Sequence, residues 1–176
     1  MEQKILVKET ETGMGLFTTR SIRSGEKILE FEQTFVKIPT NISMQVGEHK
    51  HQLSTDPTIP ENFVNHSCEP TAYVDFATLT LYALKTLTPG EEITFNYCTS
   101  DWGSTDAFEC RCHSPRCKKD ITGFKHLSLE ERLEIKDFLS PYLQSKMFVG
   151  LKRADKKSAA SLQFAPMKLT PALSTH

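Results

Sequence analysis

Three cysteines within eight residues, Cys110-Arg-Cys112-His-Ser-Pro-Arg-Cys117, constrain this chain more than any other stretch of it. A turn around Ser114-Pro115 folds such a segment back and lets the thiols converge. Redox pairs favour a Cys-x-x-Cys spacing, which is absent here. Zinc takes four thiolate or imidazole ligands in a tetrahedron, so three thiols leave one position to be filled from elsewhere. Cys68, Cys98, His113 and His66 are the candidates. A metal held this way would tie the C-terminal segment to whichever site supplies the fourth ligand. The five cysteines are an odd number, and the N-terminus carries no basic region followed by an apolar stretch, so a disulfide framework is a poor reading. No apolar run approaches the roughly 18 to 20 residues of a membrane helix. An intracellular protein without a membrane span is expected.

Around the knuckle the pattern is mainly β with short helices, on a scale of one domain. Residues 5–7, 15–18, 26–35, 43–46, 73–76, 78–84 and 92–97 read as short strands broken by turn chemistry. Residues 78–84, TLTLYAL, alternate as a half-buried strand should and form a hairpin with 73–76 through Ala77. Thr88-Pro89-Gly90-Glu91 is a turn that delivers the strand carrying Phe95 and Tyr97. Residues 39–60 are polar and irregular, expected to hold a short helix or a substrate-facing insert. Ser128-Leu-Glu-Glu131 is a capping box, predicting a helix over 129–138 with Leu129, Leu133 and Phe138 on one face. Ser140-Pro141 interrupts it, with one further turn expected over 142–147. Residues 149–176 lose periodicity and are expected to be a disordered tail.

Net charge is −1, but its distribution is uneven. Between residues 55 and 109 there is one basic residue, Lys85, against nine acidic ones, whereas from Cys110 onward thirteen basic residues face six acidic ones. An acidic middle fits capture of a Lys/Arg-rich peptide and argues against phosphate binding there, since phosphate needs cations.

The acidic stretch also holds Asn62-Phe-Val-Asn65-His66-Ser-Cys68 and Gly90-Glu-Glu-Ile-Thr-Phe95-Asn-Tyr97. Read alone, the first permits a thiol with an imidazole base, or a satisfied core histidine. An extended segment is expected to put the His66 ring and Cys68 thiol on opposite faces, against the nucleophile reading. Gly13-Met14-Gly15 is too short for a dinucleotide fingerprint, though small residues there let main chain approach a ligand closely.

Gly13-x-Gly15, Asn65-His66-Ser-Cys68, Gly90 to Tyr97 and Cys-x-Cys-x4-Cys, in that order across residues 13–118, resemble a SET domain with its post-SET segment. The resemblance implies a SET fold of several small β-sheets with a knot-like crossing, plus a C-terminal helix. It divides the chain into a SET domain (1–109), a post-SET zinc knuckle (110–122), a C-terminal helical extension (123–148) and the tail. It implies methyl transfer from S-adenosylmethionine to a protein lysine, with Tyr97 as the catalytic residue. Gly13, Met14, Gly15, Asn65 and His66 would border the cofactor. An aromatic channel would draw on Phe95 and Tyr97, with Tyr73, Phe108 or Trp102. The structural zinc would take Cys110, Cys112 and Cys117, with Cys68 as fourth ligand. Phe95, two before the tyrosine, implies room for more than one methyl. Three positions depart from the family pattern: Thr71 replaces asparagine, Asn62 replaces arginine and Cys98 replaces glycine. The expected partner is a protein with a Lys/Arg-rich segment, such as a histone tail or ribosomal protein. A catalytically inactive peptide-binding scaffold and a methyltransferase for small-molecule amines are the two alternatives. Retention of Tyr97, Asn65, His66, Gly13 and Gly15 together speaks against the scaffold.

Overall fold

The computed structural model describes residues 4–11, 13–104 and 107–151. Its strands in chain order are β1 (Ile5–Thr10), β2 (Gly13–Thr18), β3 (Lys27–Glu30), β4 (Phe35–Val36), β5 (Met44–Gly47) and β6 (Lys50–Gln52). They continue with β7 (Asn65–His66), β8 (Ala72–Asp75), β9 (Thr80–Ala83), β10 (Glu92–Phe95), β11 (Phe108–Glu109) and β12 (Asp120–Ile121). Two short helices follow, α1 (Leu129–Glu134) and α2 (Pro141–Ser145). The strands assemble into four small sheets in the orders β1-β2-β10-β7, β3-β9-β8, β4-β6-β5 and β11-β12.

Strand β10 organises the molecule. One edge pairs antiparallel with β2, and the other pairs in parallel with β7, placing Thr94 opposite Asn65 and Phe95 opposite His66. The segment after β7 stays fastened to β10: Ser67 N donates to Phe95 O at 3.1 Å, and Thr71 Oγ1 donates to Glu92 O at 3.0 Å while accepting from Thr94 N at 2.9 Å. Thr71, which stands where the family pattern has asparagine, thus fastens this loop to β10 through its hydroxyl.

Between the sheets lies a core of fully buried Leu16, Ile22, Leu81, Leu87 and Ile93, each worth about 1.5–3 kcal/mol by burial. Strand β9 is more enclosed than its alternation implied. Thr80 is buried along with Leu81 and Ala83, because β9 is the middle strand of its sheet, and its hydroxyl is satisfied by Thr78 Oγ1 at 3.0 Å. The strand expected over 26–35 divides into β3 and β4. Phe31 N still bonds Leu79 O, but the Glu32 carboxylate then accepts from Thr55 N at 2.8 Å and Thr34 Oγ1 at 2.9 Å, drawing the chain out of the sheet. The polar stretch 39–60 holds the β5–β6 hairpin rather than a helix.

The C-terminal extension has its own core of Phe124, Leu139, Leu143 and Met147, with Trp102 packed against it. Both halves of the capping box form: Glu131 N donates to Ser128 Oγ and Ser128 N to Glu131 Oε2. The helix nevertheless stops at Glu134, Ile135 leaves helical geometry, and 136–138 make a 3-10 turn. Its buried face is Leu129 and Arg132, not Leu129, Leu133 and Phe138; Leu133 is half-buried and Phe138 packs its ring on Tyr73. Arg132 can be buried because its guanidinium finds backbone carbonyls on every side. The expected turn at Ser140-Pro141 is α2, with proline at its first position and Ser140 Oγ accepting from Leu143 N. The tail expectation concerns 149–176, of which 152–176 lie outside the described residues. Among the described residues no helix is long and apolar enough to cross a membrane.

Candidate active site and cysteine cluster

The sequence delivers Tyr97 at the end of β10, but not on it. Asn96 Oδ1 accepts from Cys98 N at 3.0 Å and caps a 3-10 turn over Tyr97–Thr99, so the chain swings out of the sheet at the tyrosine. Two bonds then seat the residue. Tyr97 N donates to His66 Nδ1 at 3.1 Å, and the phenol donates to Val64 O at 3.0 Å. With its one proton committed to a carbonyl, the phenol oxygen keeps its lone pairs for a donor arriving from the cavity. Burial, and then the nearby Asp101 and Glu92 carboxylates, push its pKa well above the ordinary tyrosine range. It is a neutral hydrogen-bonding group, not a base.

Gly13, Met14 and Gly15 open β2 beside this point. Gly13 has φ +122°, open to glycine but strained for other residues. Gly15 is required by contact: a Cβ there would stand 2.6 Å from Glu92 Oε1 and 3.0 Å from Asn65 Nδ2. The Asn65 amide uses that space to donate to Met14 O at 3.0 Å and to Glu92 Oε1 at 2.9 Å, lashing β7 to β2 across the edge of β10.

These groups face a cavity of about 590 Å³ whose lining includes Met14, Gln45, Glu61, Asn65, Phe95, Tyr97, Asp101 and Phe108. Among the described residues no lysine or arginine lines it. The Phe95 and Tyr97 ring centroids are 4.9 Å apart, and Phe108 closes edge-on against both Tyr97 and His66. Of the four aromatics named for a channel, Phe95 and Phe108 meet Tyr97. Tyr73 and Trp102 do not line this cavity. Tyr73 lies on β8, stacked on Tyr82 and facing a second cavity of about 270 Å³ beside α1. Trp102 turns its ring into the C-terminal core against Phe124, behind the cavity wall.

Asp101 is a site residue that sequence reasoning missed. Its Oδ1 accepts from Gln45 N at 3.1 Å and from Ser100 Oγ at 3.2 Å, while burial pushes the carboxyl up to about 6. Gln45 answers with its own side chain, accepting from Trp102 N at 2.8 Å. An aspartate four residues after Tyr97 carries no local signal of this role; β5 places it.

On the far side of His66 the four cysteines converge. The Sγ atoms of Cys68, Cys110, Cys112 and Cys117 all lie within 4.8 Å of one another, and Cys68 and Cys110 are 3.9 Å apart. Sulfurs 2.3 Å from a tetrahedral zinc sit about 3.8 Å apart, so both donor set and size fit that ion. Of the fourth-ligand candidates, Cys68 joins the cluster; Cys98, His66 and His113 do not. Cys98 is buried against the cluster, its thiol pushed up to about 12 mainly by desolvation. His66 and Cys68 share a face instead of opposing one another: Nε2 is 3.4 Å from Cys68 Sγ. Residues two apart on an extended chain point the same way, which is the physical reason. Because Nδ1 accepts from Tyr97 N, the proton belongs on Nε2, facing the sulfur. His66 thus bridges the cysteine cluster and the tyrosine backbone.

The SET domain family profile matches residues 13–98, which contain the glycine pair, the Asn65-His66 segment and Tyr97. Residues 13–98 form a SET domain. The SET domain is similar to that of the histone-lysine N-methyltransferase ash1 of Drosophila melanogaster, 34% identical over 134 residues, covering 64% of this chain and 6% of that protein. It is also similar to the variant-silencing SET domain-containing protein of Plasmodium falciparum, 30% identical over 137 residues, covering 63% and 5%. A third relative is the H3 lysine-36 specific histone-lysine N-methyltransferase of Saccharomyces cerevisiae, 32% identical over 101 residues, covering 52% and 13%. The chain thus spans only a small part of the length of these proteins. Among solved structures, KRYPTONITE in complex with mCHH DNA, an H3(1-15) peptide and SAH shares the SET fold, with TM-score 0.55 and 17% identity over 68% of this chain and 30% of that one.

Proposed function

We propose that this chain transfers methyl groups from S-adenosylmethionine to the ε-amine of lysine in a protein substrate, with zinc as a structural ion. The observation that carries the reading is the Tyr97 phenol, bonded to Val64 O and lining one cavity with Met14 of the Gly13–Gly15 edge, Asn65 and the Phe95 and Phe108 rings. S-adenosylmethionine supplies a methyl group on a cationic sulfur. Gly13, Met14, Gly15, Asn65 and His66 would hold it, the glycines by close backbone approach. Phe95 and Phe108 would grip the lysine stem and favour a methylated cation by their ring faces. The Tyr97 oxygen would accept an N–H of the amine and aim its lone pair, so catalysis rests largely on alignment. Free lysine has a pKa near 10.4, and desolvation in the cavity favours the neutral amine the reaction needs.

Glu61 and Asp101 in a lining without described lysine or arginine, and relatives named as histone-lysine methyltransferases, support a Lys/Arg-rich peptide, such as a histone tail or ribosomal protein, as substrate, and with it an intracellular address; the same acidic lining disfavours nucleic acid at the site. Incubation with labelled cofactor and a cell lysate tests the reading. Label in protein is the expected result; label only in small molecules would replace the substrate class, and failure to bind cofactor by calorimetry would leave a peptide-binding scaffold. In the same assay Tyr97→Phe is expected to lower transfer about 10²-fold or more while cofactor still binds. Phe95 cannot hydrogen-bond the amine, so products beyond monomethyl-lysine are expected by mass spectrometry under excess cofactor.

A further inference from the structure

A lysine reaches the cavity from neutral water as an ammonium, since its free pKa is near 10.4, and a proton has to leave before the nitrogen can attack. Tyr97 does not take it. The phenol is neutral, and its own hydrogen is held by Val64 O. A different acceptor lies one turn further along the chain. Asp101 N donates to Tyr97 O at 3.0 Å, and residues four apart on such a turn are neighbours. After burial, the Asp101 carboxylate is the charge that acts most on the phenol, and both residues line the 590 Å³ cavity.

Asp101 is held by one oxygen and open at the other. Oδ1 accepts from Gln45 N at 3.1 Å and from Ser100 Oγ at 3.2 Å. Oδ2 takes no hydrogen bond among the described residues, and none of their buried side-chain oxygens or nitrogens is sealed in without a partner. The second oxygen is therefore open to a donor in the cavity that the residue lines. Titratable groups surround the carboxylate: Tyr97 and Cys98 on its own turn, Glu92 of β10, His51 of β6, Glu61, and Lys125, whose Nζ comes against Gly103. Among the described residues none of them forms an ion pair with it. Burial of this unpaired charge pushes its pKa up to about 6, and the same loss of water lowers that of a lysine. Carboxylate and ammonium thus approach one another in proton affinity inside the cavity.

We propose that Asp101 is the proton acceptor of the reaction, its Oδ2 taking a hydrogen from the lysine ammonium and leaving a neutral amine beside Tyr97. This rests on the methyltransferase reading. The N–H bond breaks with its electron pair staying on nitrogen, and the proton forms an O–H bond on Asp101. The freed pair then forms the N–C bond while the S–CH3 bond breaks, its electrons passing to sulfur. The alkylammonium product leaves with its charge, and Asp101 gives its proton to water before the next turnover. Tyr97 aligns the amine and Asp101 deprotonates it.

The test is the pH profile of kcat/KM on a lysine peptide between pH 7 and 9, for the full chain and for Asp101→Asn. The variant can use only amine that is already neutral, so its rate is expected to climb about tenfold per pH unit. The unchanged chain is expected to climb less, its advantage narrowing from about 10²-fold at pH 7 to about tenfold or less at pH 9. Parallel profiles, whatever their offset, overturn the inference and leave Asp101 a structural group. No transfer by the unchanged chain at any pH overturns the methyltransferase reading and the inference with it. A second readout needs neither turnover nor a variant. A peptide isotopically labelled at the lysine Cε is bound at pH 8 to the full chain loaded with S-adenosylhomocysteine. Its chemical shift reports the amine's charge, and calorimetry in two buffers of different ionisation enthalpy counts the protons released. A neutral amine with no proton released is expected. A neutral amine with one proton released, or an ammonium in the complex, overturns the inference.

Discussion

Replacing Gly15 by alanine pits two effects of opposite sign against each other. At a position without positive φ, Gly→Ala ordinarily stabilises by about 0.4–1 kcal/mol, because the unfolded chain loses freedom. Here the new methyl carbon would meet Glu92 Oε1 at 2.6 Å, Asn65 Nδ2 at 3.0 Å and Thr10 Cγ2 at 3.0 Å. Relief requires the Asn65 amide and Glu92 carboxylate to part, breaking the 2.9 Å bond between them and straining the 3.0 Å bond to Met14 O. A neutral bond contributes about 1 kcal/mol and one to a charged group about 1.5–3, reduced here because Asn65 is only half-buried. The loss comes to about 2–3 kcal/mol against a gain below 1, so net destabilisation of about 1–2 kcal/mol is expected. For a chain of this size that is a fall in Tm of about 2–8 °C. Calorimetry of the single variants and of Gly15→Ala with Glu92→Ala closes a double-mutant cycle, in which removal of the carboxylate should recover at least about 0.5 kcal/mol of the alanine's effect. An unchanged or raised Tm for Gly15→Ala, or a cycle that closes with no coupling, would refute the close-packing argument.

Three further outcomes follow from other parts of the structure. Cys117→Ser, or chelation, should lower methyl transfer more than it lowers the melting temperature, since the cluster reaches Tyr97 through His66; equal losses would reduce the metal to a staple of the fold. Asp101, with its folded pKa raised to about 6 against about 3.9 unfolded, binds its proton more tightly in the native state, so stability should fall as pH rises from 4 to 6 and stay lower above 6. Urea midpoints across that range test this, and Asp101→Asn should flatten the slope; no change of slope would remove Asp101 as its source. Arg132→Met removes the donor shared by four carbonyls, one of them in a fully buried bond and three part-buried, and should destabilise the chain by about 3 kcal/mol or more in urea unfolding, an effect under 1 kcal/mol ruling out the clamp.

The residues of the site were legible as motifs, and their partners were not. Gly13, Asn65, His66 and Tyr97 are the positions that the resemblance to a SET domain implies, and the cysteine cluster assembles with Cys68 as the resemblance implied. The bond from Tyr97 to the Val64 carbonyl leaves no trace in side-chain identity, because any residue at 64 has a carbonyl. Choosing among aromatics failed for a similar reason. Tyr73 and Phe108 look alike in sequence, but β8 belongs to the β3-β9-β8 sheet, which turns Tyr73 toward α1. Strand β1 extends through Lys8 and Glu9 with little amphipathic alternation, since ladder bonds to β2 hold it and much of it is exposed. Helix α1 was overextended because its capping box fixes a start and nothing in its composition fixes the end. Arg132 reads as a solvated charge until the carbonyls of 125, 127, 147 and 149 are known to surround it.

The tetrathiolate cluster also has a history within each molecule's synthesis. Cys68 leaves the ribosome 49 residues before Cys117, which at about 5–20 residues per second is a delay of about 2–10 s. For the first 42 of those residues Cys68 has none of its three partners, although β10, which pairs with β7, and Tyr97 already precede Cys110 in the chain. The residues proposed for the reaction centre are therefore made before the cysteine cluster can be complete. An oxidant meeting Cys68 in that window would end the maturation of the molecule before the knuckle was complete.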